Sequence, residues 1–187
     1  MANKLKGAEA VLTKTKIIGI SALIKDRIPK SYRANELDNK LRRERTRVEA
    51  RLLHKAKLAG VLCPTVLEVR EFQLVIEFLN GKRPKMNERI ALEAGKLLAK
   101  LHSAGIIHGD FTPANLMETK NELCVIDFGL GFFSSDIEDM AIDVLTMLKS
   151  VNTQVHTDFL KGYSIAKDYS KVMQRLEVVK KRVRYAF

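Results

Sequence analysis

The segment HGDFTPAN at residues 108–115, followed by IDFG at residues 126–129, constrains this chain more than any other feature. A polar loop runs into a short apolar stretch, a Lys120–Asn121 turn and a second apolar stretch, which is the pattern of a loop entering a β-hairpin. A hairpin returns the chain to where it left. Asn115 at the close of the loop and Asp127 at the end of the second strand are therefore expected at one point. Phosphoryl transfer needs a carboxylate beside the incoming hydroxyl and separate oxygen ligands that hold Mg2+ against phosphates. Asp110 suits the first task, and Asn115 with Asp127 suits the second. Gly129 is expected to supply a sharp backbone turn there. Alone, a DFG triplet arises by chance, and an Asp in a proline-containing loop can simply cap a turn. The order and the hairpin-length gap together carry the reading.

Upstream, the apolar run SALIK ends in Lys25, an ammonium that is costly in such a strand unless it meets negative partners. Glu49 interrupts the apolar stripe of a helical stretch between Val48 and Leu52, where a solvated acid is out of place. The two are expected to pair beside the phosphates. The alternative for Glu49 is an i,i+4 surface pair with Arg45, worth only about 0.3–0.5 kcal/mol.

The periodicity around these residues predicts an α+β fold. Gly7 to Ile28 is rich in Val, Ile and Thr and reads as short antiparallel strands; residues 35–59 read as a helix with Leu41, Val48, Leu52 and Ala56 on one stripe. Asn35 or Ser31 is expected to cap its start, and Gly60 its end. PTVLEVREFQLVIEFLNG then reads as two strands turning near Arg70 and Glu71. NGKRP has turn chemistry and is the expected hinge, giving an N-terminal lobe over residues 1–80 and a C-terminal lobe over residues 81–187. Helices are expected over 88–103, closed by Gly105, then over 138–149, 159–165 and 169–184.

With 187 residues, the chain can bury one sizeable core or two small lobes sharing a cleft. No apolar run approaches the length of a membrane span, and the N-terminal residues carry no secretory pattern, so a cytoplasmic protein is expected. Cys63 and Cys124 show no metal-ligand spacing and are expected as buried thiols. The net charge of +11 favours a polyanionic or acidic partner. Much of the surplus lies in KLRRERTRVEAR, which can equally be a solvated helix face, and in KKRVRYAF. There, Lys180, Lys181, Arg182 and Arg184 adjoin Tyr185 and Phe187, a mix suited to RNA or a partner's active site.

GAEA, LIKDRIPKSYR, LDNKLRRERTRVEA, HGDFTPAN, IDFGLG and IEDMAIDV, in this order, resemble the PRPK-type atypical small serine/threonine kinases, the kinase-like subunit of the KEOPS complex. The resemblance implies a minimal bilobal protein-kinase fold and an ATP- and Mg2+-dependent kinase or ATPase. Its implied partners are the threonylcarbamoyl transferase subunit, the other KEOPS subunits and transfer RNA. It makes Lys25 the phosphate lysine, Glu49 its helix partner, Asp110 the catalytic base, and Asn115 and Asp127 the magnesium ligands. Backbone groups of Glu77 and Leu79 would meet adenine, between apolar walls of Leu23, Met117 and Ile126. Asp143 resembles the buried aspartate that braces the catalytic loop; the alternative is a solvent-facing residue of an amphipathic helix. HGD replaces the usual HRD, and Glu138 follows Gly129 by nine positions, which leaves no room for a regulated activation loop. The Gly-rich loop retains only Gly7, so phosphate cover falls to the backbone of Ala8, Glu9 and Ala10. HGD also occurs in small-molecule phosphotransferases of the aminoglycoside or choline type, which need a helical insertion that this length does not provide. A scaffold of the same fold without chemistry is the third possibility.

Overall fold

Residues 4–6, 10–120 and 122–184 are described in this computed structural model, the side chains of residues 4–6, 183 and 184 excepted. Strands β1 (Lys4–Lys6), β2 (Ala10–Ile17), β3 (Ile20–Arg27), β4 (Val66–Val69) and β5 (Gln73–Glu77) form one antiparallel sheet in the order β1-β2-β3-β5-β4. Between β2 and β3 the turn residues Ile18 and Gly19 both have positive φ, 48° and 80°, as the right-handed twist of a tight hairpin demands. Ile18 is 98% exposed, so its β-branched side chain is strained there without packing in return. Ile18→Asn is expected to stabilise the protein by about 1 kcal/mol, read as a shift in denaturant midpoint.

Helix α1 (Asn35–Leu58) lies against β4 and β5. Neither Asn35 nor Ser31 caps it: the N-cap is Ala34, which makes no side-chain cap bond. The buried Asp38 anchors this end instead, accepting from the Lys30 backbone at 3.3 Å and from Arg42 Nε at 2.8 Å. The buried face also differs from the expected stripe. Leu52 and Ala56 are buried as expected, but Leu41 and Val48 are only half-buried, while Thr46, Glu49, Ala50 and Leu53 are buried. The first half of α1 therefore turns a polar face inward, toward the charged end of β3.

Beyond β5, the segment around the expected hinge is stitched to a hairpin. Lys82 and Glu118 exchange both backbone hydrogen bonds, at 3.0 and 2.9 Å. Helix α2 (Glu88–Ser103) starts from the Asn87 side chain, which accepts from Ile90 N at 2.9 Å. After it come β6 (Ile106–Ile107), a single 3-10 turn over Pro113–Asn115, the hairpin β7 (Leu116–Glu118) with β8 (Leu123–Val125), and β9 (Phe132–Phe133), which pairs with β6. Helices α3 (Ile137–Ser150), α4 (His156–Tyr163) and α5 (Tyr169–Arg184) complete the chain, with α4 three residues earlier at its start than its periodicity suggests. One buried core runs from Leu52 and Leu53 of α1 through Leu98, Ile107 and Phe128 to Val144 and Phe159. Cys63 and Cys124 are free and buried, and burial pushes the Cys63 thiol up to about 11, which keeps it protonated and inert. Among the described residues, no helix is long and apolar enough to cross a membrane.

Helices α2 and α4 meet backbone to backbone. A Cβ on Gly95 would overlap the Phe159 carbonyl oxygen, and one on Gly162 would overlap that of Leu92. Gly95→Ala and Gly162→Ala are each expected to cost about 3 kcal/mol by prising the helices apart. The double variant should cost less than their sum, because one separation relieves both contacts; additive values from denaturant unfolding would contradict this crossing.

Candidate active site

β3 has a two-residue side-chain repeat, so Lys25 and Arg27 share its buried face and point toward α1. Glu49 meets both: Lys25 Nζ donates to Glu49 Oε1 at 2.7 Å, and Arg27 Nη2 donates to Glu49 Oε2. Both oxygens of the acid are thus taken by β3, not held in a surface pair. Lys25 Nζ also lies 2.7 Å from Asp127 Oδ1, a contact that spans 102 positions of sequence. Burial pulls the Lys25 ammonium down, but Glu49 and Asp127 outweigh it and hold the group above its ordinary 10.5. Burial pushes the Asp127 carboxyl up; the Lys25 charge, its hydrogen bond and the Gly129 N–H at 3.2 Å prevail and hold it below 3.8.

The 3-10 turn Pro113–Asn115 aims Asn115 back at Asp110. Asn115 Nδ2 donates to the backbone oxygen and to Oδ2 of Asp110, each at 2.8 Å, which leaves the Asn115 carbonyl oxygen as its outward group. Ile126 N donates to Asn115 O at 2.9 Å, tying the loop to the end of the hairpin beside Asp127. His108 makes a second tie: its Nε2 faces Ile126 O at 3.2 Å and its Nδ1 accepts from Asp110 N at 3.3 Å. Burial lowers the His108 pKa, in keeping with a neutral ring that donates from Nε2. Beneath the loop, the buried Asp143 of α3 accepts from His108 N at 2.7 Å and from Gly109 N at 2.9 Å. His102 Nε2 lies 3.3 Å from Asp143, and its Nδ1 lies 2.7 Å from the Tyr163 hydroxyl.

The left-handed backbone conformation falls on Asp127, with φ of 60°, and not on Gly129 as the sequence suggests. Aspartate tolerates this region better than most side chains. Gly129 is instead needed for closeness: a Cβ there would sit 3.0 Å from Asp127 Oδ1 and 3.3 Å from Lys25 Nζ. Gly109 explains the HGD triplet. Its φ is +77°, and a Cβ would overlap the backbone oxygen of Leu130, so the segment after Asp127 lies directly on the loop.

Between the sheet and the helical part, a cavity of about 490 Å³ gathers these residues. Leu23, Met117 and Ile126 form its apolar walls, joined by Leu12 and Ile76; Glu77 and Leu79 border it, and Lys25, Glu49, Asp110, Asn115 and Asp127 lie at its polar end. The N–H of Glu77 is bonded to Thr65 O and that of Phe78 to Ser21 O, so Leu79 is the next backbone donor along that edge. Ala10 also lines the cavity, while Gly7, Ala8 and Glu9 lie outside the described residues. Arg27 was not legible as a site residue, although its place two positions after Lys25 was a usable signal.

A nucleotide and Mg2+ suit this arrangement. An apolar slot ends in one cation and two oxygen donors, Asn115 Oδ1 and Asp127 Oδ2. Mg2+ takes few protein oxygens and fills its shell with phosphate and water. Among the described residues, no group of three or more His, Cys, Asp or Glu assembles to hold a metal by protein ligands alone.

The basic end of α5 lies apart from the cavity. Lys180 pairs with Glu177 at 2.8 Å, and Arg182 pairs with Glu138 of α3 at 2.6 Å; Lys181 is exposed. The side chain of Arg184, and Tyr185 and Phe187, lie outside the described residues.

A family model described as "RIO domain" matches residues 21–147. A "probable serine/threonine-protein kinase BUD32 homolog" of Archaeoglobus fulgidus is 38% identical over 173 residues, covering 88% of this chain and 89% of that protein. A "probable bifunctional tRNA threonylcarbamoyladenosine biosynthesis protein" of Methanosarcina mazei is 40% identical over 195 residues, covering 96% of this chain but 35% of that protein. The chain thus spans about a third of the length of such bifunctional relatives. Among solved structures, a Rio2 kinase–ADP/Mg2+–phosphoaspartate complex from Chaetomium thermophilum superposes with a TM-score of 0.68 at 14% identity, over 99% of this chain and 71% of that one. An ADP-bound aminoglycoside phosphotransferase gives 0.63 at 14% identity, over 94% and 81%. These two likenesses establish an α+β kinase-like fold, and the matches in sequence go further: the chain belongs to the RIO domain family, alongside the BUD32 homologues.

Proposed function

We propose that the chain is an ATP- and Mg2+-dependent atypical serine/threonine kinase or ATPase serving threonylcarbamoyladenosine formation in transfer RNA. One observation carries this reading: Lys25 bridges Glu49 and Asp127, at 2.7 Å to each, at the polar end of an apolar slot. In the bound state Lys25 would neutralise phosphate charge, with Glu49 fixing its position. Asn115 and Asp127 would offer their outward oxygens to Mg2+, which screens phosphate charge as it redistributes. Asp110, oriented by Asn115, would accept the proton of the attacking hydroxyl or water. The backbone at Glu77 and Leu79 would meet the adenine edge.

In this reading the two lobes divide near residue 80 and close on the nucleotide in the cytoplasm. The partners are the threonylcarbamoyl transferase subunit and the other subunits of a KEOPS-type assembly. Relatives named as bifunctional tRNA threonylcarbamoyladenosine biosynthesis proteins, about a third of whose length this chain matches, support that choice, and they favour it over a small-molecule phosphotransferase. RNA would meet the basic surface, with Lys181 and the chain end contributing. The deciding measurement is ATP turnover by the chain alone, with transfer RNA, and with the modifying subunit, alongside calorimetry with Mg-ATP. Stimulated turnover with saturable uptake is expected; absence of Mg-nucleotide uptake rules the reading out.

A further inference from the structure

The basic run of α1 presents a distinct charged face. Arg47, Arg51 and Lys55 recur every four residues, and all three are exposed. They form a ridge slanted to the helix axis, with a rise of about 6 Å per step. None makes an ion pair with a described residue, in contrast to Arg43 with Glu71, Lys180 with Glu177 and Arg182 with Glu138. Like charges held in register on one helix face destabilise it by a few tenths of a kcal/mol per pair. The ridge thus opposes stability slightly, and no described acid neutralises it.

Beside the ridge stands an aromatic ring. Phe133 of β9 is 37% exposed, and its ring has Arg51 Cζ at 5.4 Å and Lys55 Nζ at 5.1 Å from its centroid. Its neighbours Phe132 and Leu130 are 41% and 53% exposed, and Leu130 also lines the cavity. Burying these apolar side chains would be worth more than leaving them in water. β9 is held by its pairing to β6, so the ring is carried on a fixed strand.

We infer that the α1 ridge and Phe133 form a binding platform for single-stranded RNA. Phosphates would lie along Arg47, Arg51 and Lys55, and a splayed base would stack on Phe133 once the two flexible cations swing onto the backbone. Unpaired cations of one sign with an exposed ring are the chemistry that follows an unpaired strand. An acidic protein partner would use the charges but not the flat ring face. The choice of RNA over other polyanions rests on the proposed role in transfer RNA modification; the geometry of the platform does not depend on it.

The test is fluorescence anisotropy of the full chain with a labelled single-stranded oligouridylate across a salt series, without ATP. Its outcome is therefore independent of whether the cavity turns over nucleotide. The triple variant Arg47→Ala, Arg51→Ala, Lys55→Ala should lower the slope of log affinity against log salt by about 2, at about 0.7 per phosphate contact. Phe133→Leu should weaken binding about tenfold with the salt slope unchanged, and Phe133→Tyr should retain affinity. The triple variant Lys180→Ala, Lys181→Ala, Arg182→Ala should change the slope by less than the ridge variant does. Each variant is checked for a cooperative melting transition close to the parent's. The inference is overturned if the ridge variant keeps the parental slope, if Phe133→Leu binds as tightly as the parent, or if duplex RNA or an acidic peptide of equal charge binds as tightly as the single strand.

Discussion

Asp110→Asn is expected to lower ATP turnover by about 10²- to 10⁴-fold while leaving the fold and nucleotide affinity close to those of the parent. Asparagine keeps the shape of the side chain and an oxygen that can still accept from Asn115 Nδ2, now 2.8 Å from Asp110 Oδ2. The second bond from Asn115, to the Asp110 backbone oxygen, is untouched by the change. Only the basicity is removed, so a fall in kcat with a steady KM isolates proton acceptance from loop geometry. Asp127→Asn should behave differently, because Asp127 would offer an oxygen to Mg2+ in the proposed reading and also faces Lys25 at 2.7 Å. For that variant calorimetry should show weakened Mg-nucleotide uptake. Wild-type turnover by Asp110→Asn would show that another group accepts the proton.

Glu49→Ala is expected to destabilise the protein by about 3–5 kcal/mol, the usual cost of stranding buried charge. The acid is 2% exposed and holds two cations, Lys25 at 7% and Arg27 at 4% exposure. Removing it leaves Arg27 buried without this partner and draws Lys25 toward Asp127. Glu49→Gln should fall between, since it can still accept from one cation but cannot neutralise either. Urea midpoints order the three proteins; equal midpoints for alanine and the parent would place Glu49 outside any energetic role.

The same cluster predicts a pH window. Lys25 is held above 10.5, so its contribution is complete below that pH and fades only as pH rises through the raised value. Asp127 is held below 3.8, so its contribution is complete above that pH and fades as pH falls through the depressed value. Between these limits the Lys25–Asp127 pair adds no slope to stability.

Much of this site was legible in the residues because hairpins and helices have fixed geometry. The polar loop and Asp127 lie within twenty positions of each other, and the β7–β8 hairpin brings them together. Lys25 and Glu49 could be placed because each is a charge in an apolar run. Arg27 follows the acidic Asp26 at the end of its strand, where polar residues look solvated, and its burial depends on how α1 docks. The α1 stripe misled for the same reason: Asp38, Thr46 and Glu49 make part of its inward face polar, and Glu49 serves the charges on β3, so apolar periodicity underreports it. The Gly95–Gly162 contact was invisible, since no single-chain pattern pairs glycines on separate helices. In α5 the positive run gave composition but not partners, and the pairing of Arg182 with Glu138 emerges only in three dimensions.

Gly109 and the β6–β9 pairing carry a last consequence. With its backbone seated on the loop and its strand zipped to β6, the stretch from Leu130 to Phe133 is tied down at both ends. It is a welded strut where many enzymes of this architecture keep a swinging gate. If the cavity turns over nucleotide as proposed, restraint on that turnover would have to come from somewhere other than this stretch.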